Sequence, residues 1–258
     1  MYDIDRIARR ELRRREARDE AIRTGRGRPG MLGINHMAGF GAGGDASPLA
    51  SRVLGMHMDG TNGGTTFTDV KGHTIGRVGA TTSTAQSKFG GASAVFNGTS
   101  DYLYSSASSD WAFGTGDFTV TGWVYMLGVT AEQIIAGTVA ASGDNGQWNL
   151  EIYSGNFRFT SYGSVYLSTG SVSTSTWTHF EVSRSGTTLK LFVGGTETHS
   201  VTNSTDFHSN SATSDLNIGR FGIGGAFLQG YIDDLEIYKG VALHTASFTA
   251  PTSAFADS

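Results

Sequence analysis

From Val53 onward the chain alternates apolar and polar positions with a period of two, in short runs broken by Gly, Asn, Asp and Ser. The longest run sets Phe118, Val120, Gly122, Val124 and Met126 on one face against Thr119, Thr121, Trp123 and Tyr125 on the other. Such alternation predicts a half-buried strand. Val53 to Met58, Ser93 to Phe96, Asp101 to Ser105 and Gly230 to Tyr238 read the same way. So do the stretches that pair Trp148, Leu150 and Ile152, Phe157 with Phe159, Phe180 with Val182, Leu189 with Leu191 and Val193, and Leu216 with Ile218. These strands recur about every 8 to 15 residues with no helical period between them, which excludes βαβ packing and predicts two antiparallel sheets face to face. Several carry aromatics on both faces, so an outer face or an edge is expected to meet other chains.

The first fifty residues break the pattern. Ile4, Ile7, Ala8, Leu12 and Ile22 fall on helical spacing between Asp3 and Arg23 with no Gly or Pro among them, which predicts a helix capped by Asp3 and ended at Thr24-Gly25. Beyond Gly25 to Gly30, the Gly-rich stretch 31–44 carries scattered apolar residues, Leu32, Ile34, Met37 and Phe40. It cannot pack on itself and is expected to order on a partner. The predicted division is therefore an attachment arm over 1–50 and an all-β domain over 51–258.

Charge sharpens that division. Residues 1–30 hold ten Arg and six Asp or Glu, a net of +4, while the rest of the chain is at −8. Arg9, Arg10, Arg13, Arg14, Arg15, Arg26 and Arg28 are the candidate anchor residues, together with the four apolar residues of the arm. Six interleaved acids dilute the field that nucleic acid would need, so docking on an acidic protein surface is the expected use. The 258 residues include no cysteine, so no disulfide staples the fold. No apolar run approaches a membrane span and the N-terminus lacks a signal-peptide pattern, giving the expectation of a soluble product of a cytoplasm without membrane insertion.

The order of several short pieces carries a resemblance. Met58-Asp59-Gly60, Ser87 to Ser93 leading through Phe96-Asn97-Gly98 to Tyr102, Phe113 to Val124, Thr176 to Phe180 with Arg184-Ser185-Gly186-Thr187, and Gly230 to Ala242 follow one another. So arranged, they resemble the laminin-G-like, concanavalin-A-like jelly-roll family over about residues 53 to 255. The resemblance implies a two-sheet jelly-roll sandwich. It also implies a bacteriophage structural protein or bacterial surface protein, since the closing stretch Phe248 to Phe255 is similar to tails frequent in both. Two departures stand out: Asn97 and Gly194-Gly195 replace residues that in the family often supply a carboxylate.

Asp59, Asp101 and Asp233 occupy matching motif positions, and the resemblance implies calcium there as the one cofactor. Ordinary turn chemistry is the alternative for each. Glucanases of this fold place two carboxylates on one strand to flank the scissile bond. Asp234 and Glu236 are the nearest counterpart, expected on one face by strand period, but they lack the family's spacing. The seven histidines show no metal-ligand spacing.

The leading expectation is thus a noncatalytic virion protein, made in a host cytoplasm. Its jelly-roll head is displayed outward, self-associating and fastened by residues 1–50 to the capsid or tail. A rival is a carbohydrate-binding adhesin using exposed aromatics such as Trp111, Tyr162 or Tyr166 on cell-surface polysaccharide. A glycan hydrolase is the third reading.

Overall fold

The computed structural model describes residues 48–138, 146–161, 164–208, 214–222 and 224–257. The predicted helix, the Gly-rich arm, every anchor residue from Arg9 to Phe40, and Tyr162 lie outside the described residues. What is described is all β, with two short 3-10 turns at Pro48–Ser51 and Ser109–Trp111.

Fifteen strands follow in order: β1 Arg52–Met56, β2 Ile75–Val78, β3 Thr81–Ser83, β4 Ser93–Asn97, β5 Tyr102–Ser105, β6 Phe118–Met126, β7 Gln133–Thr138, β8 Asn149–Tyr153, β9 Asn156–Ser161, β10 Ser164–Ser171, β11 Trp177–Ser185, β12 Thr188–Val193, β13 Thr196–Thr202, β14 Leu216–Ile218 and β15 Gln229–Lys239. The ten strands expected from alternation are all present. β2, β3, β7, β10 and β13 are additional, and most of them are Ser, Thr or Gly-rich edge segments that join a sheet because a neighbour offers backbone partners rather than because their own side chains alternate.

Two antiparallel sheets result. One runs β13-β12-β11-β6-β15-β4-β3 with β1 also on β15, and the other runs β10-β9-β8-β7-β14-β5-β2. β6 contributes Phe118, Val120, Val124 and Met126 to the core between them, on the predicted face. Phe157, Phe159, Phe180 and Leu191 meet them from other strands, and Trp148 from just before β8. Burying aromatic and aliphatic faces of both sheets against one another supplies the main driving force, at roughly 1.5–3 kcal/mol for each large side chain. Arg184 also points inward, with its guanidinium donating to the carbonyls of Gly114, Gly116 and Thr205 and lying over the Phe118 and Phe207 rings.

β15 departs from simple alternation. Ile232, Leu235 and Ile237 all enter the core, a step of three followed by a step of two. A bulge between Asp233 and Glu236, with Asp234 at φ 47°, absorbs the extra residue. The bulge falls where β15 changes partner, since Gln229 to Ile232 pair with β4 while Leu235 to Tyr238 pair with β1.

The outer face of the larger sheet is covered from within. Residues 241–257 cross it as a strap, held by Thr119 Oγ1 on the Val241 carbonyl, Ser183 Oγ on the His244 carbonyl, and Arg52 Nη2 on the carbonyls of Ala256 and Asp257. Phe248 N and Phe255 N add bonds to the Gly195 carbonyl and the Asp234 carboxylate. The outward aromatic Trp123 is buried, with Lys88 over its ring and Phe89 edge-on to it, and part of the face expected to meet other chains meets this chain's own C-terminal segment.

Candidate functional site

The outer face of the seven-stranded sheet carries a polar band set by strand register. Because Leu150 and Ile152 of β8 enter the core, Asn149, Glu151 and Tyr153 face outward, and the same alternation turns out Arg158 and Thr160 of β9, Asn217 of β14 and Tyr102 and Tyr104 of β5. Cross-strand pairing lines up Gly76, Tyr104, Asn217, Gly137, Asn149 and Thr160 in one row. Ile134, Glu151, Arg158 and Ser168 form the next. Tyr104 to Thr160 spans four strand spacings, about 19 Å.

Two glycines shape this face. A Cβ on Gly76 would lie 2.3 Å from the Tyr104 ring, so the ring rests flat on the bare backbone and turns its other side outward. At Gly137 a Cβ would stand 2.2 Å from Asn149 Oδ1 and 2.8 Å from the Trp148 carbonyl. The missing side chain makes Gly137 the low point of its row, a trough across which the Asn149 carboxamide lies.

Hydrogen bonding along the trough is incomplete. Asn149 Oδ1 and Gln147 Nε2 are buried with no hydrogen-bond partner among the described residues, a state that costs about 1–3 kcal/mol per group until a ligand or water supplies the bond. Arg220 Nε donates to Asn217 Oδ1 at 3.0 Å while its guanidinium lies 3.6 Å from the Tyr102 ring centre. Arg158 pairs with Glu151 at 3.1 Å and stacks over Tyr153, which is 45% exposed. Burial pushes the Glu151 carboxyl up to about 7, with Arg158 opposing and Glu132 reinforcing the shift. A donor, an acceptor, a near-neutral acid and two supported tyrosine rings are the complement of a polyhydroxylated ring with one apolar face.

The aromatics proposed from sequence stand elsewhere. Trp111 is fully buried, its Nε1 donating to the Ser106 carbonyl and its own carbonyl accepting from Trp148 Nε1, so it is a core residue and offers no face to a ligand. Tyr166 is half-buried and meets Phe207 edge-on. The exposed tyrosines on this face are Tyr104 and Tyr153. The strict alternation of Asn149, Glu151 and Tyr153 against Leu150 and Ile152 was the available signal.

The three aspartates divide. Asp233 is fully buried, with Oδ2 accepting from the backbone N–H of Lys88 and Phe89 and Oδ1 without a partner among the described residues. Desolvation lifts its carboxyl to about 7 against those two bonds, and the charges of Asp234 and Asp59 add to the rise. Asp59 lies against Gly90, next to Phe89. An orphaned buried oxygen beside a second carboxylate fits a hard cation. Asp59 and Asp233 would hold calcium, which would supply charge compensation between the loop after Met58 and the β15 bulge. Asp101 does not join them. It accepts from Asn97 N in the β4–β5 turn, and Asn97 pairs with Gln229, four residues and about 13 Å along β15 from Asp233. Asn97 and Gly194-Gly195 are turn residues, the former accepting from three successive backbone N–H groups and the latter linking β12 to β13 with φ of 59° and 82°. Among the described residues no group of three or more His, Asp or Glu is arranged around a metal.

Asp234 and Glu236 both line a cavity under the strap, on one face as the strand period predicts, with Leu235 between them in the core. Neither is free for acid–base work. Asp234 accepts from His57 at 2.9 Å, and Glu236 is bound by Arg52 at 3.0 Å and by the Tyr238 hydroxyl. His57 places its second ring nitrogen 2.8 Å from Asp257. Burial opposes charge on the ring, yet the bonds to Asp257 and Asp234 outweigh it and raise the pKa.

No curated protein matches this chain. Among solved structures, the binding domain of Paraclostridial Mosquitocidal Protein 1 is similar with a TM-score of 0.57 at 13% identity, covering 76% of this chain and 51% of that one. A structure concerning botulinum neurotoxin type C, whose cell entry depends on two ganglioside molecules, gives 0.57 at 14% identity, covering 76% and 50%. Domain 4 of AbnA, a GH43 extracellular arabinanase from Geobacillus stearothermophilus in complex with arabinotriose, gives 0.52 at 22% identity, covering 66% and 82%. The chain spans about half the length of the toxin binding domains it matches. At these identities the likeness is one of fold, and the neighbours are mainly binding domains. A family model described as the Concanavalin A-like lectin/glucanases superfamily matches residues 97–246. With more than half of the chain under that match and the two-sheet jelly roll beneath it, this protein belongs to the Concanavalin A-like lectin/glucanases superfamily.

Proposed function

We propose that this protein is a noncatalytic glycan-binding module that takes its ligand on the outer face of the seven-stranded sheet. The observation that carries the reading is the trough over Gly137, where buried Asn149 Oδ1 and Gln147 Nε2 lack partners among the described residues on a sheet face that also exposes Tyr104 and Tyr153. Arabinotriose bound to the AbnA domain and the gangliosides of the neurotoxin add support by analogy of fold. Ion pairing of Glu151 with Arg158, and of Glu236 with Arg52, supports binding rather than turnover. A glycan array probed with wild type and Asn149→Ala tests the reading. Saturable binding lost in the variant is expected. Binding that survives both Asn149→Ala and Tyr104→Ala would remove the site, and release of reducing ends would replace binding by hydrolysis.

The Arg-rich leader and Gly-rich arm of residues 1–50 support a second element of the proposal, that the glycan-binding head is fastened to a larger assembly such as a bacteriophage capsid or tail. Deleting residues 1–44 is expected to leave a folded, glycan-binding head that no longer sediments with particles. Co-sedimentation of the truncated chain would refute the anchor. A calcium ion on Asp59 and Asp233 is the third element, supported by the orphaned Asp233 Oδ1.

A further inference from the structure

The cavity beneath the C-terminal strap lies on the larger sheet, away from the proposed glycan trough, and none of the roles above uses it. Its volume is about 100 Å³. Its floor is built by pairing of β6 with β11, which sets Thr121 opposite Glu181 and Trp123 opposite His179. The strap contributes His244, Phe248 and Phe255.

Two acceptors in its lining are unmatched. Glu181 is 1% exposed, and Oε2 accepts from His244 Nδ1 at 2.9 Å while Oε1 has no partner among the described residues. The hydroxyl of Thr121 donates to the Phe180 carbonyl at 3.0 Å, so its oxygen accepts from His179 Nε2 at 3.1 Å. That bond places the ring proton on Nε2 and leaves Nδ1 as a bare lone pair, again buried and without a partner among the described residues. Desolvation holds the His179 pKa down to about 3, with His244 and Lys88 contributing, so the ring stays a neutral acceptor.

Asp234 is met by His57 and Glu236 by Arg52, whereas Glu181 is met by His244 on Oε2 alone, and burial raises its pKa against the bond from that ring. What is missing is a compact donor carrying at least two N–H or O–H bonds and a positive charge to answer Glu181. A metal does not answer the geometry, since no third ligand of the kind stands with them among the described residues. Trp123, Phe248 and Phe255 give the cavity apolar walls that cover a short methylene stem, while their faces already carry Lys88, His244, and His57 with Arg52. A dry cavity of about 150 Å³ takes a benzene ring, so this one holds about four heavy atoms.

We propose that this cavity is a binding site for a short primary alkylammonium group, the chemistry found at the end of a lysine side chain or in a small free amine, with Glu181 and His179 as its acceptors. The proposal stands independently of the glycan reading.

The test titrates the full chain with n-propylammonium and with n-propanol, its neutral counterpart of the same size, following the Trp123 indole N–H and the His179 ring nitrogens by NMR. Saturable binding of the ammonium is expected, at least about tenfold tighter than the alcohol, as an ionised acceptor requires. In Glu181→Gln that preference should shrink to within about threefold while the far-UV spectrum and the chemical shifts of the opposite sheet stay as in wild type. Nα-acetyl-lysinamide separates the two sources: a response as strong as that of n-propylammonium assigns a lysine-bearing partner, and a response to the free amine alone assigns a small metabolite. Equal response to ammonium and alcohol in wild type, or no saturable response to either, overturns the proposal. So does a crystal grown with n-propylammonium that shows only water between Glu181 and His179. If the Glu181→Gln variant fails to fold, the wild-type comparison of ammonium with alcohol decides alone.

Discussion

Replacing Glu151 by glutamine should remove a pH dependence of stability whose size follows from the site. Burial on the outer face of β8, only partly offset by Arg158 and Thr160, lifts the carboxyl from 4.5 to about 7. An acid whose pKa is higher folded than unfolded binds its proton longer in the native state. Unfolding therefore releases that proton between the two values, and the fold loses stability as pH rises across the window. At about 1.4 kcal/mol per pH unit the loss amounts to about 3 kcal/mol between about pH 4.5 and pH 7, with no further change above. The uncharged amide of Glu151→Gln has no proton to release in that window. It would orphan the Arg158 guanidinium, but that cost is nearly independent of pH because Arg stays charged. The informative quantity is thus the difference between wild type and Glu151→Gln as pH changes, not the offset at any one pH. Urea unfolding at intervals from about pH 4 to pH 8 measures it directly. The wild-type free energy should fall relative to the variant by about 3 kcal/mol across the window and then run parallel to it. Curves that stay parallel throughout would refute the reasoning, since they would mean that the carboxylate is solvated and not sealed into the trough.

Three further outcomes are expected. Gly137→Val forces a side chain into the space of Asn149 Oδ1 and the Trp148 carbonyl, so glycan affinity measured by calorimetry should fall at least about tenfold. Arg184→Met leaves the carbonyls of Gly114, Gly116 and Thr205 unpaired inside the fold. A destabilisation of about 3–5 kcal/mol is expected, seen as a lowering of the melting temperature on the order of 10 °C with glycan specificity unchanged. Calcium at a hundredfold excess over its Kd should stabilise the wild type by about 2.7 kcal/mol, and Asp59→Ala should abolish the effect. An equal shift in the variant would remove Asp59 from the cation site.

The alternation of residues 118–126 determined more of this protein than any motif, because a period of two leaves a strand one way to bury Phe118, Val120, Val124 and Met126, and enough such strands leave the chain little but a sandwich. The same logic held Asn149, Glu151 and Tyr153 on one outer face, so part of the candidate trough was readable in the string of residues itself. Its depth was not. Gly137 and Gly76 acquire meaning only once register sets Asn149 beside the one and Tyr104 over the other, and register belongs to strands far apart in sequence. Trp111 looked like a ligand platform because an aromatic near a turn carries no local mark of burial, and only the packed neighbours that enclose it put it in the core. The irregularity just before Leu235 was hidden for a related reason. The bulge in β15 arises where one strand must serve β4 and then β1, a demand of the sheet and not of the pentapeptide around it. Local periodicity fixes which side chains share a face, whereas the unpaired atoms of Asn149, Glu181 and Asp233 exist only because tertiary packing removes water without supplying a partner.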